Sequence, residues 1–317
     1  MLAIVGATGN IGDRVVDRLG KRGIAQRLIV RNPDSISRPP GAEVFQMASY
    51  ADAKAVGQGL AGIDTLLMIS AMDSMGVRRQ CILNNKPMLP HNRVHQHIAM
   101  VAAAVAVGVK HIVYVSFVGA AEDATFLFGR EHFHTEEYIK STGVNYTFLR
   151  NCLYMDNAAA HASDDGVIRG PAGYGKVSWV SRDDIADVAV AVLTGNGHEG
   201  QTYDVTGPEA LSLAETAEVL TSVTGRTVTY QMLTPHEVRV NRNAGRMEKW
   251  DAEYRKLTGS GLCDEDVEIW ISHYMQMATG EAAVVSDTVP RLTGHPAISL
   301  EEYLKKFPEC YAHLLPQ

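Results

Sequence analysis

The feature that most constrains the fold lies in the first twelve residues. Residues 1–5 form a short apolar run, and Gly6-Ala7-Thr8-Gly9-Asn10-Ile11-Gly12 follows at once and leads into a helical pattern. Glycines at that spacing let the chain turn tightly, let an anion approach the backbone, and let the helix pack close on the strand with its first amides facing the anion. With 28 glycines in 317 residues, such a string arises by chance roughly 0.2 times, so its position must carry the argument. Both flanks agree on a strand-turn-helix unit of the kind that holds the pyrophosphate of a dinucleotide.

The unit continues as expected. Residues 13–21 place Val15, Val16 and Leu19 at helical spacing and stop at Gly23. A second strand, 27–30, ends at Arg31-Asn32-Pro33. An acidic side chain at that point suits the ribose 2'-hydroxyl of NAD, whereas an arginine suits the 2'-phosphate of NADP, by charge and by bidentate geometry. A solvated surface arginine is the alternative. Further strands are predicted over 43–47, 64–70, 111–116 and 145–150, with helices over 53–60, through the alanine-rich 98–109, and after Gly129. The connection 71–93, with Arg78, Arg79, Pro87 and Pro90, is either a lid on the ligand side or an ordered surface excursion.

Two patterns need weighing. Tyr50-Ala51-Asp52-Ala53-Lys54 matches a Tyr-x-x-x-Lys pair, but it precedes the strands that would carry a catalytic serine, so we reject it as catalytic. His132 and Glu136 lie four apart and share a helical face. A solvated, charge-rich face is the expected reading of that pair.

Beyond residue 154 the simple alternation stops. Capping boxes are predicted at Ser181-Arg182-Asp183-Asp184, Ser212-Leu213-Ala214-Glu215, Thr234-Pro235-His236-Glu237 and Ser299-Leu300-Glu301-Glu302. Strands are expected near 167–174, 201–206 and 228–233. Trp270, Tyr274, Met275 and Met277 suit a core better than a pocket.

A net charge of -7 and a pI near 5.9 argue against a nucleic-acid partner. A strand beginning at residue 2 leaves no room for a secretory leader, and the longest apolar run, 98–109, is too short to span a bilayer. Cys81, Cys152, Cys263 and Cys310 show no C-x-x-C pairing, which points to reduced thiols, a cytoplasmic location and no metal site.

The glycine turn, Val30-Arg31-Asn32-Pro33, Val109-Lys110-His111-Ile112-Val113-Tyr114-Val115-Ser116 and Tyr146-Thr147-Phe148-Leu149-Arg150-Asn151 together resemble the NmrA-like group of atypical short-chain dehydrogenases. Within it the chain looks most like the quinone oxidoreductase and triphenylmethane reductase branch. The likeness continues through Arg169-Gly170-Pro171-Ala172-Gly173, Thr202-Tyr203-Asp204-Val205-Thr206-Gly207-Pro208 and Arg291-Leu292-Thr293-Gly294. It implies an α/β fold: a Rossmann-type doubly wound parallel sheet with a smaller C-terminal α+β substrate lobe. The expected division is 1–154, completed by about 177–206, for the cofactor domain, and 155–176 with 207–317 for the lobe.

The implied activity is NADPH-dependent hydride transfer to a small conjugated acceptor: a quinone, an enone or an imine-like group. The resemblance assigns Gly6, Thr8, Gly9, Asn10, Ile11 and Gly12 to the pyrophosphate, Arg31 to the 2'-phosphate with Asn32 beside it among the cofactor-binding residues, and Ser70 to the central ribose side. It sets Ser116, Phe117 and Asn151 near the nicotinamide. Where isoflavone-reductase-like relatives carry a catalytic lysine, this chain has His132, which with Tyr154 and Ser116 completes the catalytic candidates. Ser49 also stands where relatives often have an aspartate. Two rival readings remain: a regulatory NADP(H) sensor without turnover, and a redox-neutral isomerase. The expected partner is a small-molecule substrate, with a homodimer left open.

Overall fold

The computed structural model describes residues 1–36, 39–47, 49–50, 52–70, 92–245, 247–258 and 261–315. The 71–93 connection, Cys81 included, lies outside the described residues up to position 91. In chain order the first elements are β1 (Leu2–Val5), α1 (Gly12–Lys21), β2 (Gln26–Val30), β3 (Glu43–Gln46), α2 (Ala53–Leu60) and β4 (Thr65–Ile69). After them come α3 (Asn92–Ala106), β5 (His111–Phe117), α4 (Leu127–Ser141) and β6 (Asn145–Asn151).

The strands pair in parallel in the order β3-β2-β1-β4-β5-β6, and β9 (Gln201–Val205) adds the seventh strand beside β6. Side chains alternate strictly across this sheet. Leu2, Ile4, Leu28, Val30, Leu67, Val113, Val115 and Leu149 pack on one face with Val15, Val16 and Leu19 of α1. Ala3, Val5, Ile29, Leu66, Met68, Ile112, Tyr114 and Phe148 pack on the other with Val56, Leu60, Met100, Val101 and Ile139. Burial on both faces explains why the strands read as continuous apolar runs. Each fully buried aliphatic side chain contributes about 1.5–3 kcal/mol.

The remaining elements are α5 (Met155–Ala158), β7 (Val167–Gly170), β8 (Lys176–Val177), α6 (Arg182–Thr194), β10 (Leu211–Ser212), α7 (Leu213–Thr224) and β11 (Thr229–Met232). Five helices follow: α8 (Pro235–Asn241), α9 (Met247–Thr258), α10 (Asp264–Ala278), α11 (Thr288–Thr293) and α12 (Leu300–Lys306). α6 covers the face shared with α1, through Ile185, Val188 and Val192. β7 and β11 form a small parallel pair, and β8 and β10 an antiparallel one.

Ser212, Thr234 and Ser299 make full reciprocal capping boxes. At Ser181 only half of the box forms. Its hydroxyl accepts from the Asp184 amide at 2.9 Å, while the Asp184 carboxylate accepts from the Ile298 amide at 3.1 Å and ties α6 to the chain before α12. Tyr274 and Met277 are core residues, as expected. Among the described residues no helix is long and apolar enough to cross a membrane.

Candidate active site

In a doubly wound sheet the ligand crevice lies outside the carboxyl ends of the strands, where the strand order reverses. Gly6 follows β1, Arg31 follows β2, Ser70 follows β4, Phe117 ends β5 and Asn151 ends β6, so all five sit on that edge.

The glycines of the first turn do different work. Gly6 has φ +83°, and a Cβ there would lie 3.0 Å from the Ile69 Cβ. A Cβ on Gly12 would come 2.1 Å from the Gly6 carbonyl oxygen, so α1 reaches the strand only because position 12 is bare. Gly9 is exposed and meets only the Gly6 oxygen, at 3.3 Å, a much weaker demand from the chain itself. Thr8 and Asn10 are exposed at the same tip, while Ile11 is buried and offers no side-chain cap to α1. A bare glycine tip leading to an uncapped helix start is a cradle that suits a phosphate. Arg31 and Asn32 are exposed at the end of β2, where Asn32 also accepts from the Asp34 amide at 3.1 Å. Ser70 is half-buried.

At the ends of β5 and β6 the picture departs from expectation. His132 and Glu136 are not on a solvated face: they are 5% and 0% exposed. Periodicity reports only that they share a face, and long-range partners satisfy them inside. The Glu136 carboxylate accepts from Arg150 Nε at 2.9 Å and Nη2 at 2.6 Å, and from the Ser116 hydroxyl at 2.6 Å. Ser116 is therefore already donating to the protein. Asn151, cross-strand from Phe117, is fully buried, and neither its Oδ1 nor its Nδ2 has a well-formed hydrogen bond. A buried carboxamide in that state is costly unless a ligand completes it.

The Tyr154 hydroxyl lies beside the Asn151 carboxamide. Burial pushes its pKa up, against the opposing influence of the Arg182 guanidinium 3.8 Å over its ring, so the phenol keeps its proton at neutral pH.

His132 belongs to a network that the sequence did not reveal. Its Nδ1 lies 2.8 Å from the Tyr114 hydroxyl, which is 3.4 Å from His97 Nδ1, itself 3.0 Å from Thr135 Oγ1. Burial above all, then Arg93, His97 and Arg150, hold the His132 pKa well below the ordinary histidine value, and burial and Arg93 do the same to His97. Both rings are neutral at physiological pH. The signal available beforehand was Tyr114 itself, a phenol in the middle of an apolar strand that must find a polar partner.

A chain of rings leads from here toward α10. His132 stacks on Phe117 at 6.2 Å, Phe117 meets Phe126 at 5.1 Å, and Phe126 meets His273 at 5.7 Å. His273 stacks between Trp270 and His161, and its Nε2 lies 3.0 Å from His161 Nε2. Burial lowers the His273 pKa to about 3, with the neighbouring His161 adding to the shift. The helix that carries this wall is fixed to the start of α4, where the Glu281 carboxylate accepts from Thr125 and Leu127 N donates to Ser272 Oγ at 3.3 Å. Among the described residues one group has metal-ligand spacing, Asp184, Asp187 and His295. Arg18 already engages Asp187 at 2.7 Å and the Ile298 amide engages Asp184, so the group reads as a tie between α1, α6 and the C-terminal segment.

Residues 6–196 match the NAD(P)H-binding family. The chain is 31% identical over 310 residues to the NAD(P)H azoreductase of Xenophilus azovorans, covering 96% of this chain and 97% of that protein. The NADPH-dependent quinone oxidoreductase of Escherichia coli, solved with NADPH, superposes with a TM-score of 0.79 at 30% identity, over 97% of this chain and 99% of that one. The triphenylmethane reductase of Citrobacter sp., solved with NADP(H), superposes with a TM-score of 0.76 at 30% identity, over 96% and 99%. The NAD(P)H-binding match, the glycine cradle and the seven-stranded sheet agree: the chain belongs to the NAD(P)H-dependent reductases of the NmrA-like, atypical short-chain dehydrogenase family.

Proposed function

We propose that this protein is an NADPH-dependent reductase that passes a hydride to a compact conjugated acceptor such as a quinone, an enone or an imine-like group. The observation that carries the reading is Asn151: a fully buried carboxamide without a well-formed hydrogen bond, on the same sheet edge as the glycine cradle. The cofactor, once bound, supplies the hydride, and the chain supplies orientation and the exclusion of water.

In this reading the turn from Gly6 to Gly12, with Thr8, Gly9, Asn10 and Ile11, holds the pyrophosphate. Arg31 and Asn32 hold the 2'-phosphate, and Ser70 lines the ribose. Asn151 offers a donor and an acceptor to the nicotinamide carboxamide, and Phe117 backs the ring. Ser116 acts through Glu136, fixing the end of β5. His132 and Tyr154 face the acceptor as neutral hydrogen-bond donors. Residues 1–154 with 177–206 form the cofactor domain, and 155–176 with 207–317 the substrate lobe, in a cytoplasmic protein with reduced thiols.

One observation favours a rival, a sensor of NADP(H) without turnover: the Ser116 hydroxyl is taken by Glu136 and His132 is neutral, so neither of these two candidates is a charged acid. NADPH consumption against a panel of quinones, enones and dyes separates the two. The reductase reading expects turnover that falls in His132→Ala and Tyr154→Phe. Tight NADPH binding with every acceptor inert favours the sensor.

A further inference from the structure

The direction of each hydrogen bond around His132 follows from its partners. The Thr135 hydroxyl donates to the Glu131 carbonyl oxygen one turn back, at 2.9 Å. Its proton is thereby committed, so the 3.0 Å contact with His97 is made by His97 Nδ1–H donating to Thr135 Oγ1. A His97 nitrogen that carries a proton cannot accept one from Tyr114. The Tyr114 hydroxyl proton therefore goes to His132 Nδ1 at 2.8 Å, the shortest contact of the phenol, rather than to Thr135 Oγ1, which also engages the phenol but already accepts from His97. A neutral imidazole whose Nδ1 accepts must carry its hydrogen on Nε2.

We propose that Tyr114 is a positioning residue: its hydroxyl donates to His132 Nδ1 and locks the ring in the Nε2–H tautomer, so that His132 offers the acceptor a fixed, neutral hydrogen-bond donor. The inference rests on the reading of His132 as part of the acceptor site. Exposure supports the direction of the chain. Thr135, His97 and Tyr114 are 1%, 0% and 0% exposed, and His132, at 5%, is the most exposed of the four. Among the described residues the charged groups acting on Tyr114 and His132 are Arg93 on α3, Arg150 on β6, and Glu131 and Glu136 on α4. Both arginines work against a positive imidazole, which keeps the ring in the neutral form that the tautomer argument needs.

The test is a nitrogen-correlated NMR spectrum of the full-length protein carrying 15N-labelled histidine, at neutral pH, with the His132 signals assigned by their loss in His132→Gln. The expected spectrum shows Nε2 as the protonated nitrogen and Nδ1 as the bare one. An Nδ1–H pattern, or two protonated nitrogens, overturns the proposal without any further variant. In Tyr114→Phe the single tautomer should give way to a mixture. In Thr135→Val, which removes the acceptor of His97 and a hydroxyl beside Tyr114 but no contact of His132, the His97 signals should move and those of His132 should move much less than in Tyr114→Phe. Unchanged His132 signals in Tyr114→Phe, or equal shifts in both variants, reduce Tyr114 to a packing group and overturn it. In turnover assays Tyr114→Phe should lower kcat about 3- to 10-fold, the worth of one neutral hydrogen bond, with the KM for NADPH unchanged. Because the tautomer is read without turnover, its failure is distinct from a failure to reduce any acceptor.

Discussion

Acidification should destabilise this fold well above the carboxylate range, and the buried histidines set the size of the effect. His97 and His132 are held well below the ordinary histidine value, and His273 is held at about 3, with burial the largest cause in each case. In the unfolded chain each titrates near 6.5, so below that pH the unfolded state binds more protons than the folded one and stability falls as pH falls. Moving from about pH 7.5 to about pH 5.5 costs roughly 1.4 kcal/mol per histidine, or about 4 kcal/mol for the three. His161, shifted in the same direction by burial, adds to it. Asp184 and Asp204, whose carboxyls burial pushes up, work in the opposite sense, mainly nearer the ordinary carboxylate range.

Against a typical total of about 5–15 kcal/mol this is a large fraction. Guanidinium unfolding followed by tryptophan fluorescence at pH 7.5, 6.5 and 5.5 measures it directly. The expected result is a steep loss across that window, with about 1.4 kcal/mol of it removed in His97→Gln relative to that variant's own stability at pH 7.5. Stability that is flat between pH 7.5 and 5.5 would refute the placement of these rings as buried and neutral.

Other outcomes follow from the same geometry. Gly12→Ala forces a Cβ to 2.1 Å from the Gly6 oxygen and should lose both stability and NADPH binding, whereas Gly9→Ala, with one contact at 3.3 Å, should lose binding while keeping most of its stability; calorimetric titration and thermal unfolding read the two effects. Arg31→Ala should weaken NADPH roughly ten- to a hundred-fold, the worth of a charged hydrogen-bond pair, and leave NADH nearly unchanged; equal losses for both cofactors would remove the 2'-phosphate role. Glu136→Gln breaks a buried pair and should cost about 3 kcal/mol in denaturant unfolding, the lower end of the usual range, because the Arg150 side chain keeps 23% exposure.

Much of this was legible in the chain. The glycine turn, the strand end at Val30, the ends of the fourth and sixth strands to within one residue, and three of the four capping boxes are local signals, and local signals survive translation into structure. Residues 132 and 136 show where they stop. A helix rich in Arg, Glu and His reads as solvated because helical periodicity counts polarity and ignores partners. Here Glu136 is paid for by Arg150 and Ser116 on two different strands, and His132 by Tyr114 on the neighbouring strand. The contact between His161 and His273 joins residues 112 apart and no spacing rule reaches it. At Ser181 the box was half right because Asp184 had a better use, in tying down the chain at Ile298.

The most direct test of the central claim is steady-state NADPH consumption with a panel of conjugated acceptors, run in parallel with NADH. The account predicts turnover of at least one quinone, enone or imine-like acceptor, with NADPH preferred over NADH and the preference lost in Arg31→Ala. Tight NADPH binding with no acceptor reduced would contradict it.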